Sequence, residues 1–445
     1  MALTGLDIYK NLPKENCKEC GLPTCLAFAM KVASGQAGLD ECPRLTEEAR
    51  AGLSEASAPP QRLVKIGPEA SRIEIGQETV MFRHEEKFHH PTAIALTISD
   101  ADQAVVKTAC ENFTKLQFPR VGQVLRTDMV ALTNDSGSQD TMIAAAKTIN
   151  DSLGVPLVLI SDNLKTLAAV ASGPLAGAAP VTLCTASPSA DELAQLAATG
   201  AVLCIAGGMP DIADKVDALA EKNVKNTVIS PGHVNSLDCL TFLTQTRRAA
   251  LIKKFRQLGC PALVFADADD HAAASLDACI YVCKYAGIVV TNVWEPHLLL
   301  PILTTRQNIF TDPQKPVQVE PKLYDIGEVT PQSPLLVTTN FSLSYYSVES
   351  EVEASRVPCR ILAVDTEGTS VLTAWAADKF NPETITEALK SCGADEKFEH
   401  HKVVIPGHVA VLTAQLAEDS GWEVLVGPKE ASGIGPFLKN EWKGN

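Results

Sequence analysis

Between residues 93 and 291 the sequence repeats a short aliphatic run followed by a helical segment, and this repeat indicates the fold. The first run, AIALTI (93–98), precedes DQAVVKTACENFTKL, whose apolar residues recur at a spacing near 3.6. The other runs are MVALT (129–133), LVLIS (157–161), VTLC (181–184), AVLCIA (201–206), TVIS (227–230), ALVFAD (262–267) and IVVT (288–291). Eight strand–helix units in about 200 residues predict a (β/α)8 TIM barrel, with a doubly wound open sheet as the alternative.

In such a barrel, functional side chains lie at the carboxyl ends of the strands. The sequence places polar residues there, namely Asn134, Asp135, Ser161, Asp162, His233, Asp267, Asp269, Thr291 and Asn292. The acidic segment 267–270, followed by His271, could bind a metal, but a capped helix start is favoured. Helix caps are also expected at Asp100, Ser138, Asp162, Ser187 and Asn235. Since no two carboxylates stand out as a general acid and base, we interpret the barrel as a scaffold.

A smaller α/β pattern occupies the C-terminal part of the chain. Strands are expected within LLVTTN (335–340), CRILAVDTEG (359–368), KVVIPGH (402–408) and WEVLVGPKE (422–430). The proline-rich segment 304–333 is expected to be a linker into this domain. Ligands of parallel sheets bind outside the carboxyl ends of the strands, and here those ends are rich in small and hydroxyl residues. The pattern therefore predicts a Rossmann-like α/β domain that binds a bulky ligand through its loops.

Four cysteines with the spacing Cys-x2-Cys-x4-Cys-x16-Cys lie near the N-terminus: Cys17, Cys20, Cys25 and Cys42. Gly21 and Pro23 allow a tight loop around the first three, a short helix is expected from Leu26 to Val32, and Pro43 follows the fourth. Four thiolates so placed can hold a 4Fe–4S cluster. A structural zinc site is the alternative, but zinc usually takes two separate pairs of ligands, so the spacing favours the cluster.

Between the cysteines and the barrel lies SEASAPPQ (54–61), which has the composition of a linker. The following segments RLVKIG, SRIEIG and ETVMFR alternate apolar and polar residues, which predicts two or three short antiparallel strands. His84, His89 and His90 end this stretch. Because no cysteine or carboxylate spacing supports metal ligation there, we interpret them as part of a solvated turn.

The composition excludes several classes of function. The net charge of −15 argues against nucleic acid binding, which selects basic surfaces. No apolar run approaches the roughly 18–20 residues of a membrane span. The N-terminus MALTGLDIYKNLPKEN lacks the basic start and apolar core of a signal peptide, and the cysteines beyond the first four are scattered singly. We therefore expect a cytoplasmic protein with reduced thiols.

Motifs for common cofactors are absent from the C-terminal domain. No Gly-x-Gly-x-x-Gly directly follows a strand, and no Gly-Lys-Ser/Thr phosphate loop occurs. A corrinoid, a flat macrocycle fringed with amides, would fit loops at every strand end. The histidine motif Asp-x-His-x-x-Gly of many cobalamin proteins has its nearest counterpart at Asp269 and His271, which Ala274 follows in place of the glycine. If a corrinoid binds, we expect no such histidine on its cobalt.

Four segments carry a resemblance to a known family: IYKNLPKENCKECGLPTCLAFAMKVASG (8–35), TTNFSLSYY (338–346), DTEGTSVLTAW (365–375) and GPKEASGIGPFLK (427–439). Together they resemble the large (gamma) subunit of corrinoid iron–sulfur proteins, which belong to the acetyl-CoA (Wood–Ljungdahl) pathway and to the related methanogen decarbonylase/synthase complex. The resemblance covers the whole chain in the same order of parts, and the four cysteines match without departure.

The resemblance implies a methyl carrier of anaerobic carbon dioxide fixation. In the family, a methyltransferase donates the methyl group of methyltetrahydrofolate to cobalt(I) of a corrinoid, which passes it to acetyl-CoA synthase. The cluster returns an electron whenever cobalt(I) is oxidised to cobalt(II). The corrinoid is bound base-off, without a protein ligand, and the protein forms a heterodimer with a small TIM-barrel subunit. Acetyl-CoA synthase works together with CO dehydrogenase, so these enzymes are the expected partners.

By position, nine residues are candidates for corrinoid contacts: Thr339, Asn340, Tyr346, Ser370, Val371, Leu372, Thr373, Gly433 and Ile434. Val371 and Leu372 would cover the lower face, and the hydroxyl and backbone groups would hold the propionamides and the phosphate tail. The expected domains are 1–57 (cluster), 58–92 (linker and short strands), 93–325 (TIM barrel) and 326–445 (corrinoid). A pure electron-transfer subunit and a catalytic pterin-binding barrel are the alternatives.

Overall fold

The computed structural model describes residues 5–33, 37–46, 49 and 59–442. The chain forms two compact units. The first contains the described residues up to Met81 with His89–Glu111 and Asp128–Leu298, and the second contains Phe82–Phe88, Asn112–Thr127 and the chain from Leu299 onward. Residues 54–58 of the expected linker lie outside the described ranges.

Eight parallel strands of the first unit close into a barrel, which confirms the predicted (β/α)8 fold. They are Ala93–Ser99, Met129–Thr133, Leu157–Ser161, Val181–Cys184, Val202–Ala206, Thr227–Ser230, Ala262–Ala266 and Ala286–Thr291. Strands that follow one another in sequence are neighbours, and the last pairs with the first, Ile288 opposite Ala93. The aliphatic runs are explained by burial of the strands on both faces.

An antiparallel hairpin of Leu63–Ile66 and Ile73–Gly76 completes the barrel core. Val64, Ile66 and Ile75 are buried in the same cluster as the inward side chains of the barrel strands. The backbone N–H of Arg62 donates to the carbonyl of Gly259 at 2.7 Å, just before a barrel strand begins. The hairpin therefore closes the amino end of the barrel.

The segment ETVMFR does not form the third strand that its alternation allowed. Glu78 is turned inward, where its carboxylate accepts hydrogen bonds from the backbone N–H groups of His89 and His90 at 2.8 and 3.0 Å. Arg247, also buried, lies 3.6 Å from the same carboxylate. The prediction of a solvated turn is wrong for His90, whose ring nitrogen lies 2.7 Å from the Gly76 carbonyl. This segment therefore contributes Glu78 to a buried ion pair with Arg247 and does not pair as a strand.

The helices around the barrel begin close to the predicted caps. Ser138 and Asn235 cap their helices as expected, whereas Asn163 and Ser189 cap in place of Asp162 and Ser187. Asp100 is buried and belongs to a network described below. The helices of this layer are Gln103–Lys115, Gln139–Leu153, Leu164–Ser172, Ala190–Ala197, Met209–Glu221, Ser236–Leu251, His271–Cys283 and Pro296–Phe310.

The second unit contains a five-stranded sheet. Its order is Leu323–Ile326, Cys359–Val364, Leu335–Thr339, Lys402–Ile405 and Glu423–Val426. The last four are parallel, as predicted. Its helices are Ser342–Ser355, Val371–Ala376, Pro382–Ser391, Ala394–Lys397, Thr413–Ser420 and Ile434–Asn440. Two separate apolar clusters cover the two faces of the sheet.

Two parts of the second unit were not expected from the sequence. The segment 304–333 is not a linker throughout, because a helix continues to Phe310 and the strand Leu323–Ile326 pairs antiparallel with Cys359–Val364. A four-residue edge strand carries too little periodicity to be seen in sequence. A hairpin of Gln117–Arg120 and Gln123–Arg126 also belongs here.

Candidate cofactor sites

A cavity of about 320 Å³ lies at the carboxyl ends of the parallel strands in the second unit. Its floor is apolar and includes Leu336, Val404 and Ile405. Polar groups stand among the walls, including the hydroxyls of Ser344 and Ser347. This combination of an apolar floor with a few polar groups suits an organic ligand of mixed character.

Two neighbouring loops approach closely beside this cavity because they contain glycine. A Cβ atom at Gly407 would lie 2.5 Å from the Gly427 carbonyl oxygen. The Gly407 N–H donates to the carbonyl of Pro428 at 3.1 Å. A Cβ at Gly433, one of the predicted contacts, would lie 2.7 Å from the Pro428 side chain. The strand-end loops therefore form a tight backbone wall that side chains would not permit.

Asn340 is a fully buried residue that organises the adjacent loop. Its side-chain oxygen accepts hydrogen bonds from the N–H groups of Thr366 and Gly368, both at 3.0 Å. Its amide nitrogen donates to Gln318 and Asp365, both at 3.1 Å. The donor and acceptor capacity of Asn340 is thus used within the protein, and the residue positions the loop 365–369.

The nine predicted contact residues occupy different places. Val371 and Ile434 line the cavity. Thr339 is buried, and its hydroxyl oxygen has no hydrogen-bond partner. Ser370 and Thr373 bond each other at 3.0 Å, and Tyr346 lies against Gly122 of the hairpin. Leu372 is 47% exposed.

Sequence reasoning missed other residues of the cavity wall: Leu343, Ser344, Ser347, His408 and Lys429. Two of them could have been predicted from their position at a strand end. His408 directly follows Pro-Gly and Lys429 directly follows Gly-Pro. The other three share one face of the helix Ser342–Ser355 at spacings of one, three and four residues.

Large apolar side chains are exposed after each of the four parallel strands. They are Leu343 after the first, Leu372 and Trp375 after the second, Val411 after the third and Val426 at the end of the fourth. Singly exposed apolar residues need no explanation, but a set at one edge of a sheet indicates an interaction surface. The edge that carries the cavity therefore has an apolar rim.

The N-terminal cysteines lie on a small helical module. The helices Gly5–Lys10 and Cys25–Ala33 pack together, which confirms the helix predicted after the cysteine loop. Cys20, Cys25 and Cys42 contact one apolar cluster that includes Phe28. Within the described ranges, no three His, Cys, Asp or Glu side chains are grouped as ligands of a single metal ion.

The cysteine loop coils tightly. Lys14, Asn16, Lys18 and Gly21 all have left-handed backbone angles, with φ between 49° and 75°. The Asn16 side-chain oxygen accepts a hydrogen bond from the N–H of Cys25 at 2.8 Å and so ties the loop to the helix start. Such turns orient backbone N–H groups toward a common point, which favours anionic groups.

Arg44 links the loop to the segment that carries the fourth cysteine. It donates to Glu15 and Glu19, at 3.2 and 2.6 Å. Its hydrogen bond to Glu19 is the main cause of a raised pKa for Arg44, to which the nearby Cys17 also contributes. The first and the fourth cysteine are thus brought to the same end of the module.

The mouth of the barrel holds a hydrogen-bonded network. The buried carboxylate of Asp100 accepts from the Asn134 amide and the Ser136 hydroxyl, both at 2.7 Å. The Ser161 hydroxyl donates to the Asn134 oxygen at 3.1 Å. Three consecutive strand ends are therefore tied to one another by their own side chains.

Three of the predicted metal candidates at the barrel mouth, Asp267, Asp270 and His271, are engaged in pairs or caps. Asp270 caps the helix His271–Cys283, as favoured from the sequence. His271 lies 2.8 Å from Glu295, and this hydrogen bond lowers the pKa of Glu295. His233 stacks on Phe265, and its hydrogen bond to Asp267 raises the pKa of His233.

A closed barrel, an open parallel sheet with a cavity at its strand ends and a four-cysteine module define a class of multidomain α/β proteins. A family model described as CO dehydrogenase/acetyl-CoA synthase delta subunit matches residues 63–438, and one described as putative Fe-S cluster matches residues 12–44. The corrinoid/iron-sulfur protein large subunit of Moorella thermoacetica is 42% identical, with 99% of each chain covered. The acetyl-CoA decarbonylase/synthase complex subunit gamma of Methanothermobacter thermautotrophicus is 31% identical over 98% of this chain and 99% of that protein.

The chain belongs to the family of these corrinoid/iron-sulfur protein large subunits and gamma subunits. Among solved structures, a dihydropteroate synthase from Stenotrophomonas maltophilia matches with a TM-score of 0.38 and 16% identity, covering 50% of this chain and 94% of that one. In the described residues, no helix is both long and apolar enough to cross a membrane.

Proposed function

We propose that this chain is a methyl-carrying subunit that binds a corrinoid over the C-terminal cavity and its rim, and a 4Fe–4S cluster on the N-terminal cysteines. The observation that carries the proposal is the apolar-rimmed cavity at the strand ends, joined with membership of a family whose curated relatives are named corrinoid/iron-sulfur proteins. A bound corrinoid supplies a cobalt centre that accepts and donates methyl groups, and a bound cluster supplies single electrons.

The residues around the cavity fit a corrinoid. The apolar floor and rim suit the face of a macrocycle, and we propose that Val371, which lines the cavity, and the exposed Leu372 cover that face. The buried hydroxyl of Thr339 has no hydrogen-bond partner and is next in sequence to Thr338, which lines the cavity, so we propose it as a contact for an amide of the ligand. Ser370, Thr373, Gly433 and Ile434 supply polar and backbone groups at the edge. Asn340 acts through the loop 365–369, and Tyr346 lies on the same helix as Leu343.

The cysteine module fits an iron–sulfur cluster. Its donor set is four thiols, since the acidic residue between the first two, Glu19, is paired with Arg44, and Cys42 is buried against an apolar cluster. The match to a model described as putative Fe-S cluster favours the cluster over zinc at these positions. The role that we propose for Cys17, Cys20, Cys25 and Cys42 is reductive activation of cobalt, separate from methyl transfer itself.

We further propose that the corrinoid is bound base-off, with no histidine ligand on the cobalt. His408 lines the cavity and is the histidine that tests this point. His408→Ala should leave the electron paramagnetic resonance spectrum of the cobalt(II) form unchanged, because no imidazole nitrogen is lost. Loss of a nitrogen splitting in the variant would show that His408 is a ligand and would refute the base-off assignment.

The proposed partners follow from the relatives, which are named as a large subunit and as subunits of a complex. They are a small TIM-barrel subunit, a methyltetrahydrofolate methyltransferase and acetyl-CoA synthase with CO dehydrogenase. We assign the cluster to residues 1–57, a linker with short strands to 58–92, the barrel to 93–325 and the corrinoid to 326–445. In this proposal the chain acts in the cytoplasm as a methyltransferase component.

An absorbance spectrum of the purified chain tests the proposal against a pure electron-transfer role. Corrinoid bands at a stoichiometry near one per chain are expected, beside the absorbance of the cluster. A spectrum of the cluster alone, after reconstitution with cobalamin, would exclude the carrier function.

Cys17→Ala tests whether the cluster serves only to reduce the cobalt, while the corrinoid alone carries the methyl group. The variant should lose the cluster signal and the ability to be reactivated by an electron donor, since a thiolate ligand is missing. Methyl uptake after chemical reduction of the cobalt should remain close to that of the unaltered chain. The exposed Lys107→Glu serves as a control for purification and handling. A Cys17 variant that takes up no methyl group even after chemical reduction contradicts the proposed separation.

A further inference from the structure

A groove of about 900 Å³ lies on the helical layer of the barrel, along one side of the helix Ser236–Leu251. Leu240, Thr244 and Arg248 of this helix line it at a spacing of four residues, and Met209, Phe255 and Leu258 line it as well. The helix is about 24 Å long at 1.5 Å per residue. The groove therefore follows one continuous helix face rather than a strand end, and none of the groups discussed above uses it.

The ends of this face are apolar and exposed. Leu237 is 71% exposed and Ile252 is 61% exposed, one near each end of the helix, and Phe255 is 42% exposed. Thr244 and Ala249 between them are small, which leaves room for side chains from outside. Apolar anchors at helical spacing around a shallow groove are typical of surfaces that receive an amphipathic helix.

The charge of the groove is opposite to that of the chain. Arg248 and Lys253 line it, and no carboxylate of the described chain is among its lining residues, whereas the chain as a whole has a net charge of −15. On the neighbouring helix, Asp211 is paired with Lys215 at 3.2 Å and Asp217 accepts from Gln257 at 3.1 Å. The groove thus presents positive charge beside apolar surface.

We propose that this groove, defined by Met209, Leu240, Arg248, Lys253, Phe255 and Leu258, binds an acidic amphipathic helix of a partner subunit. Relatives of the chain are named as subunits, so partner chains exist for them. A small anion would not use the exposed apolar residues at the two ends. A second copy of this chain, docked by the same face in a symmetric pair, would bring like charges together.

Charge-swapped peptides test the proposal on the full chain. The probes are two labelled 16-residue helical peptides with leucines at helical spacing, one flanked by glutamates and the other by lysines. Fluorescence anisotropy at low salt should show that the acidic peptide binds about tenfold more tightly, and that 0.5 M salt reduces the difference. The doubly substituted chain Arg248→Glu with Lys253→Glu should prefer the basic peptide.

Control variants distinguish binding in this groove from nonspecific binding of the peptides to the protein surface. Phe255→Ser should weaken both peptides, while Val105→Ser and Lys107→Glu on another exposed helix should change neither. Circular dichroism checks that each variant is folded. Equal binding of the two peptides, or an unchanged preference in the double variant, overturns the proposal. Sedimentation of the chain alone as a dimer that the double variant abolishes would also overturn it, in favour of a second copy. The proposal is independent of cofactor binding, so neither result bears on the corrinoid or the cluster.

Discussion

The barrel and the five-stranded sheet both end in polar loops at the carboxyl ends of parallel strands, but the loops are connected differently. At the barrel mouth, Asp100, Asn134 and Ser161 bond one another across three consecutive strands. In the sheet, Asn340 ties one loop to its neighbour, and the remaining loops border a cavity with an apolar rim. The barrel strand ends are linked by side chains, whereas the loops of the sheet contact one another through backbone groups and leave a cavity beside them.

The largest expected effect comes from removing the hydrogen bonds of the buried Asn340 at the strand ends of the sheet. Asn340→Leu leaves the buried N–H groups of Thr366 and Gly368 without an acceptor, so we expect a loss of about 3 kcal/mol in the free energy of unfolding. The loop 365–369 should also loosen, and the corrinoid content of the purified chain should fall. Urea unfolding and corrinoid absorbance measure the two effects.

Asn134→Leu is the matched variant in the barrel, because Asn134 also accepts from and donates to its neighbours. It should lower stability without lowering the corrinoid content of the folded fraction. If Asn340→Leu and Asn134→Leu lowered the corrinoid content equally, the strand ends of the sheet would have no special role in corrinoid binding compared with those of the barrel.

A smaller effect is expected from the apolar rim. Leu372→Ser removes a side chain that is 47% exposed, so the free energy of unfolding should change by less than about 0.5 kcal/mol. Corrinoid affinity, measured by equilibrium dialysis, should fall about tenfold because contact with the macrocycle is lost. Val105→Ser, at a 54% exposed position beside the barrel, should leave affinity unchanged. An unaltered affinity in the Leu372 variant would remove the rim from the proposed site.

The smallest effects concern two histidines, His400 and His233, whose contributions to the free energy of unfolding change with pH in opposite directions. Burial lowers the pKa of His400, so the unfolded chain takes up the proton first, and stability falls as pH drops below about 6.5. The hydrogen bond to Asp267 raises the pKa of His233. Its contribution is therefore fully present below about pH 6.5 and is lost as pH rises through the value in the folded state.

Urea midpoints between pH 5 and 8 test this pair. His400→Gln should reduce the loss of stability on the acid side, and His233→Gln should reduce the loss on the alkaline side. The second change should be small, because the His233 side chain is 60% exposed. His401→Gln, next to His400 but half exposed, is the control. For each variant, the change in urea midpoint relative to the unaltered chain is plotted against pH. If these two plots had slopes of the same sign, the environments assigned to His400 and His233 would be contradicted.

The same comparison explains what the sequence could predict. The barrel strands and the four parallel strands were predicted because burial on both faces requires aliphatic runs such as LVLIS. The cysteine motif was visible because a cluster needs thiolates at close spacing. The edge strand Leu323–Ile326 was missed since its pairing depends on backbone hydrogen bonds to residues more than 30 positions away.

The site was harder to predict than the fold. Val371 and Ile434, which were predicted as contacts because they follow strand ends, line the cavity, whereas Asn340 is buried and bonded within the protein. Whether a polar side chain at a strand end bonds a ligand or a neighbouring loop depends on distances between strands that are remote in sequence. Those distances are set by the packed sheet, and no local pattern records them.

The hairpin that closes the amino end of the barrel has a consequence for synthesis of the chain. It emerges from the ribosome before any barrel strand, yet Arg62 hydrogen-bonds Thr227, a partner 165 positions later. The hairpin therefore cannot bury its apolar side chains, Val64, Ile66 and Ile75, until most of the barrel has been synthesised. Until the hairpin docks on the barrel, this exposed apolar segment is prone to aggregation.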